Sequence, residues 1–159
     1  MQTTSYPTRQ HERLAALIGT WEGPIKTWFD PDSPVRENRY KATIRAVAGG
    51  HAFLQEYESS LDGEAFSGVT LYAYDDGRKK IVVDWVDSFH SIAPMHSEGD
   101  VKREAVVDVL GSYTAGDQTW GWRTVLQHPT PESLIYRAYN VLPDGQEYLG
   151  IEATLSRAV

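Results

Sequence analysis

Ala65-Phe66-Ser67-Gly68-Val69-Thr70-Leu71-Tyr72-Ala73-Tyr74-Asp75-Asp76-Gly77-Arg78-Lys79-Lys80-Ile81-Val82-Val83-Asp84-Trp85-Val86-Asp87-Ser88 reads as two strands around a tight turn. Val, Ile, Tyr, Trp and Thr crowd both arms, and these side chains suit a pleated, half-buried surface. Asp75-Asp76-Gly77 between them supplies residues that tolerate positive φ, the mark of a hairpin. In the second arm one parity carries Ile81, Val83, Trp85 and Asp87; the other carries Lys80, Val82, Asp84, Val86 and Ser88. Lys80 and Asp84 belong in water, which points Trp85 and Asp87 inward.

The same grammar extends in both directions. Upstream, the strand-like runs are Trp21 to Phe29, Asn38 to Val47 and Ala52 to Ser60, punctuated by Asp30-Pro31-Asp32-Ser33-Pro34, Gly49-Gly50 and Asp62-Gly63. Downstream come a short piece around Ile92 and then, after Gly99-Asp100, the run Val101 to Leu110. Thr119 to Gln127, Ser133 to Leu142 and Gln146 to Arg157 complete the set, with Asp144-Gly145 as the last hairpin turn. The connections are too short for parallel crossovers, so the sheet is antiparallel and meandering. About ten twisted strands left open would expose two edges, and closure removes both. The expected fold is all-β: an up-and-down antiparallel barrel of about ten strands, one domain over residues 1–159.

One helix is signalled ahead of the barrel, over residues 7–19. Thr8 is a suitable N-cap after Pro7, and Leu14, Leu17 and Ile18 make one apolar stripe. Gly19 stops it, and Arg9, Glu12 and Arg13 form the wet face. About three turns of helix are marginal alone, so the stripe must cap something, here one barrel end.

Composition narrows the function. The chain has 159 residues, 41% hydrophobic and 23% charged, with no Cys and a formal net charge of -7. Without Cys there is no disulfide scaffold, thiolate metal site or thiol nucleophile. The negative charge argues against nucleic-acid binding. No apolar run reaches the roughly 18–20 residues of a membrane helix, and Met1 to Gln10 lacks the apolar core of a secretory signal, so a cytoplasmic setting is expected.

Parity also selects the candidate site. Glu56 and Glu58 share the outer parity of their run, which leaves Phe53, Gln55 and Tyr57 inside. On the last strand Leu149, Ile151, Ala153 and Leu155 share one face, and Tyr148, Glu152 and Thr154 the other. Trp120 and Trp122 are placed inside, opposite in parity to Arg123 and Val125. An aromatic lumen with a few polar anchors is the composition of a small-molecule pocket. Aromatics also fill barrels, but ten strands leave more room than eight. An inward Asp87 needs donors or a cation to offset burial, and Arg123, Arg137 and Arg45 are the candidate cations. His90 and His96, six residues apart near Asp87, are candidate metal or haem ligands. His11, His51 and His128 read as ordinary helix or turn positions. No nucleophile elbow, P-loop, dinucleotide fingerprint or zinc-protease motif occurs.

Gly19-Thr20-Trp21 opens the first strand and Arg157 closes the last. In a closed barrel these strands are neighbours, so guanidinium and indole can stack, worth roughly 0.5–2 kcal/mol. Gly-x-Trp with this terminal Arg resembles the calycin superfamily, which includes lipocalins and fatty-acid-binding proteins. The ordered segments His11-Glu12-Arg13-Leu14, Leu17 to Gly23, Gly49 to Leu54, Phe66-Ser67-Gly68, Tyr72 to Asp75 and Trp85 to Ser88 resemble an uncharacterised bacterial domain-of-unknown-function family of calycin-like barrels. That resemblance implies a ten-stranded barrel and brings no reaction, cofactor or catalytic residue. Nitrobindin-like haem barrels are similar in architecture and hold iron through a histidine near the chain's end; here no histidine follows His128.

The leading expectation is a non-enzymatic, lipocalin-like binding protein for a small apolar or amphipathic molecule. Its ligand-binding residues would be Tyr57, Trp85, Asp87, Trp122, Phe53 and His90. The alternatives are a haem or metal barrel using His90 or His96, a barrel enzyme using Asp87 with His90, and a filled barrel acting through its surface as a homodimer.

Overall fold

The computed structural model describes residues 6–90 and 93–159. Thr8 caps a short helix, α1 (Arg9–Ala15), through a reciprocal box: the backbone N–H of His11 donates to the Thr8 side chain, and His11 Nδ1 accepts from the Thr8 backbone. Histidine thus does the job that Glu or Gln performs in the usual box. The helix is shorter than the expected 7–19. It ends at Ala15 with Ala16 still in right-handed geometry, and Gly19 is already the first residue of the sheet.

Ten strands follow among the described residues. They are β1 (Gly19–Thr27), β2 (Arg36–Val47), β3 (Ala52–Leu61), β4 (Glu64–Asp75), β5 (Lys80–Asp87), β6 (Met95–Asp100), β7 (Val107–Ala115), β8 (Gln118–Thr130), β9 (Ser133–Val141) and β10 (Glu147–Arg157). Each pairs antiparallel with its sequence neighbour, and β1 pairs with β10, so the sheet is a closed up-and-down barrel. Closure leaves no free edge. The expected short strand around Ile92 lies outside the described residues.

One boundary differs from the sequence reading. Gly99-Asp100 was expected as a turn opening a strand at Val101. Both residues instead belong to β6, and the next strand starts only at Val107. The reason is packing: a Cβ on Gly99 would strike the carbonyl of Asp108 on β7, so this glycine serves close strand approach. Arg13 then ties the 101–106 connection to the helix by donating to the carbonyls of Lys102, Arg103 and Ala105.

The helix plugs one end of the barrel. Leu14, Leu17 and Trp21 are buried there with Phe53, Ile44 and Leu155. Trp21 donates its indole N–H to the Leu17 carbonyl at 2.9 Å, and the Arg157 guanidinium lies 4.3 Å from the Trp21 ring centroid. The stack expected from the two chain ends is therefore present, at the seam where β1 meets β10. Because β5 starts at the plugged end, its C-terminal residues Trp85 to Asp87 are delivered to the opposite, open end.

Candidate functional site

The barrel interior is unequal along its axis. In the middle, Tyr40, Gln55, Tyr57, Tyr72 and Tyr136 crowd the lumen and leave a cavity of only about 30 Å³. That is room for about one or two waters. Gln55 satisfies two of the tyrosines: its amide N–H donates to Tyr40 at 2.7 Å, and its oxygen accepts from Tyr72 at 2.8 Å. Burial pushes the hydroxyls of Tyr40, Tyr57, Tyr72 and Tyr136 well up, so all four act as neutral groups.

Above this layer Trp85 and Trp122 stack nearly parallel, 6.1 Å between centroids and 12° between planes. The two indoles form a partition. Below them is the filled middle, and above them a mouth cleft of about 540 Å³. Trp28, Phe29, Met95, Tyr113 and Tyr148 supply its apolar wall, while His90 and Asn140 are among its polar groups.

The partition is anchored by a polar chain. Trp85 donates its indole N–H to the Tyr57 hydroxyl, and Tyr57 donates to Asp87 Oδ2 at 2.8 Å. His90 Nδ1 bonds the same oxygen at 2.8 Å, and the backbone N–H groups of Phe89 and His90 donate to Asp87 Oδ1. Desolvation pushes the Asp87 carboxyl up, but the hydrogen bonds and charge of His90, with the Tyr57 hydroxyl, outweigh it and hold the group below the ordinary carboxylate range. An ionised carboxylate only accepts, so the proton between the two side chains sits on Nδ1 of His90.

Gly68 makes this chain possible. On β4 it pairs with Tyr57 of β3 on one side and Asp87 of β5 on the other. A Cβ at Gly68 would collide with the Tyr57 hydroxyl and with Asp87 Cβ. Phenol and carboxylate meet across a strand only because that strand has no side chain there.

The barrel has counterparts of known structure. At 14% identity, the S-type phycobiliprotein lyase CPES from Guillardia theta matches with a TM-score of 0.63 over 96% of this chain and 94% of its own. Rv2717c from M. tuberculosis matches at 12% identity with a TM-score of 0.64, over 96% of this chain and 99% of its own. A redesigned β-barrel matches at 13% identity with a TM-score of 0.50, over 92% and 96% of the two chains. These likenesses are of fold. No curated protein matches the chain. Its sequence matches the protein family of unknown function DUF1579 over residues 6–157. The chain belongs to that family.

Within this DUF1579 barrel the residues picked from the sequence divide into groups. Trp85, Trp122 and His90 line the mouth cleft; Tyr57 lines the lower cavity and Asp87 neither, the two being joined to that floor by the hydrogen bonds to Trp85 and His90. Phe53 does not join them; it is buried towards the plugged end and lines neither cavity. Trp120 sits higher, with its ring 6.4 Å from that of Tyr113. His96 is on the outer wall, bonded to Asp84 and Glu98 at 2.8 and 2.9 Å, and shares no site with His90. Among the described residues no group of three or more His, Asp or Glu could hold a metal ion.

The expected arginine partners of Asp87 are elsewhere. Arg123 bonds Asp108 and Glu147, and Arg137 bonds Glu152, while Arg45 is exposed. A charged pair costs less at the wet outer surface than inside, and Tyr57 and His90 already satisfy Asp87. The face assigned to Tyr148 also changes. A bulge at Gly150 shifts the register between Leu149 and Ile151, and past it Tyr148 turns to the cleft that Ile151 also lines. Trp28, Tyr113, Asn140 and Gly68 were not singled out as site residues. Tyr113 carries one usable signal, the same parity as the inward Val107 and Val109, but it lies beyond Leu110, where the sequence reading ends that run.

Proposed function

We propose that this protein is a binding barrel that seats a small apolar or amphipathic molecule in the mouth cleft, on the Trp85–Trp122 floor. The observation that carries the reading is the contrast between the two internal spaces. The cleft, at about 540 Å³, falls in the range of small-molecule sites, roughly 300–1,000 Å³, whereas the lumen beneath has no room for a guest. The aromatic wall supplies contact area, and few polar groups are left to orient the ligand. Nearby folds serve at least one named activity, that of a phycobiliprotein lyase, so a barrel of this shape is compatible with a dedicated binding task.

Titration with the neutral fluorophore N-phenyl-1-naphthylamine tests the reading. Enhanced emission on binding is expected, with about five- to thirtyfold weaker binding by Trp122→Ala, which loses about 1–2 kcal/mol of stacking and burial. Native mass spectrometry of protein purified from its own host would identify a resident molecule. No probe binding together with no co-purified mass overturns the proposal.

A second reading is favoured by one observation, the 2.8 Å bond between Asp87 and His90 at the edge of the cleft. That pair has the geometry of an oriented general base. With no nucleophile beside it among the described residues, the chemistry it fits is proton transfer. Deuterium exchange at the α-carbon of 2-tetralone, followed by NMR, should be faster with the wild type than with His90→Gln; equal rates exclude it.

A further inference from the structure

The lining of the mouth cleft says what kind of molecule it favours. Among the described residues that line it, none is Lys, Arg, Asp or Glu. Of the three arginines named as candidate cations, Arg123 and Arg137 are held in ion pairs away from the cleft and Arg45 is exposed. The Arg36 guanidinium over the Phe29 ring is paired with Asp62. A carboxylate or phosphate entering the cleft would lose water and find no Lys or Arg among the residues that line it, a cost that normally decides against a charged guest. The ionised Asp87 behind His90 adds to that cost.

The polar group that remains at the floor is an imidazole with a fixed orientation. Asp87 holds Nδ1 at 2.8 Å, and the ring packs edge-on against the Phe89 and Phe66 rings, with centroids 4.7 and 5.7 Å away. In the neutral ring the proton on Nδ1 makes Nε2 an acceptor. The ring also lies 5.8 Å from Trp85, so this acceptor stands beside the flat indole floor. Stacked indoles, a largely aromatic wall and an acceptor held beside them favour a flat guest with a donor at its edge; Tyr113 and Tyr148 already spend their hydroxyl protons on Asn140 and the Phe29 carbonyl.

We propose that the mouth cleft takes neutral, planar molecules bearing a phenol- or enol-type hydroxyl, which donates to Nε2 of His90 while the ring system packs against the Trp85–Trp122 stack. This deepens the binding reading and rests on it. Asp87 is a positioning residue in this arrangement: it fixes which imidazole nitrogen carries the proton. Tyr57 and Gly68 in turn hold Asp87.

Calorimetric titration with three probes tests the assignment: 2-naphthol, its methyl ether 2-methoxynaphthalene, and 2-naphthoate. The wild type should bind 2-naphthol about five- to tenfold more tightly than the ether, the difference one hydrogen bond makes. His90→Phe should erase that preference, bringing naphthol and ether to equal affinity. Asp87→Asn should erase it too, because an amide donating to Nδ1 moves the imidazole proton to Nε2. Equal affinities for naphthol and ether in the wild type, a preference that survives in His90→Phe, or tighter binding of 2-naphthoate each overturn the assignment. If naphthol binds no better than the ether while the ether and N-phenyl-1-naphthylamine both bind, only the hydroxyl assignment falls. If no probe binds, the binding reading falls with it.

Discussion

The closure seam gives the most quantitative handle on this barrel. Trp21 is 0% exposed, and the Arg157 guanidinium lies 4.3 Å from its ring centroid. Arg157 also donates to the carbonyls of Ile18 at 2.6 Å, Ala16 at 3.2 Å and Pro131 at 3.0 Å. It therefore joins the helix, β1 and the β8–β9 turn at one point. Replacing Trp21 with Leu shrinks a buried side chain and removes its bond to Leu17, for a cost of about 2–4 kcal/mol. Replacing Arg157 with Met keeps the stem but loses the charge and its hydrogen bonds; their exposure to water limits the cost to about 1–2 kcal/mol. If the guanidinium–indole stack contributes about 1 kcal/mol, the double variant should be less destabilised than the sum of the singles by that amount. Urea denaturation of all four proteins, with unchanged slopes, measures the difference. Additivity within about 0.3 kcal/mol would refute the stack as an energetic link and leave Arg157 as a hydrogen-bond staple only.

Two further outcomes follow from the same geometry. Gly68→Ala should cost about 1–3 kcal/mol by overpacking and disturb binding through Tyr57 and Asp87, whereas Gly63→Ala, in an open turn, should leave probe affinity unchanged; unaltered binding in Gly68→Ala would count against the close approach. His11 has its pKa lowered by burial, with His51 adding repulsion and Asp76 opposing it, and Tyr6 and Tyr74 pack against its ring. Its folded pKa lies below the unfolded one, so its contribution is fully present above about pH 6.5 and is lost as pH falls through the lowered value. His11→Gln, which keeps a capping acceptor without a titrating ring, should flatten that part of the stability profile, and an unchanged acid limb would show that His11 does not set it.

Alternation carries most of what could be read without coordinates. On β5 and β3 it places Trp85, Asp87, Tyr57 and Gln55 inside because charged neighbours at Lys80, Asp84, Glu56 and Glu58 leave one choice of face. It fails where one residue changes the count. The bulge at Gly150 reverses Tyr148, and a run ended at Leu110, five residues before β7 stops at Ala115, leaves out Tyr113. It also says nothing about distance along the axis. Phe53 and Tyr57 share a face, yet four residues separate a core position at the plugged end from one beneath the floor of the cleft. The polar partners of Asp87 are similarly out of reach of pattern reading. Tyr57 comes from two strands away, across a glycine whose role is visible only when three strands are in register.

That axial division has a consequence for how the family can vary. The plugged end and the tyrosine layer bury the side chains on which folding depends, and a cavity of about 30 Å³ shows how closely they fit. The mouth wall is built largely from strand ends and connections, Trp28, Phe29, Pro94 and Met95 among them, which contribute less to that packing. Barrel packing and cleft shape are therefore written in different parts of the same strands. The Trp85–Trp122 pair, with Tyr57 beneath and His90 beside it, is the layer where they meet. A substitution there acts on both, since Trp85 is tied to Asp87 through one phenol. Substitutions above the layer can reshape the cleft while the closed, helix-plugged barrel below keeps its packing.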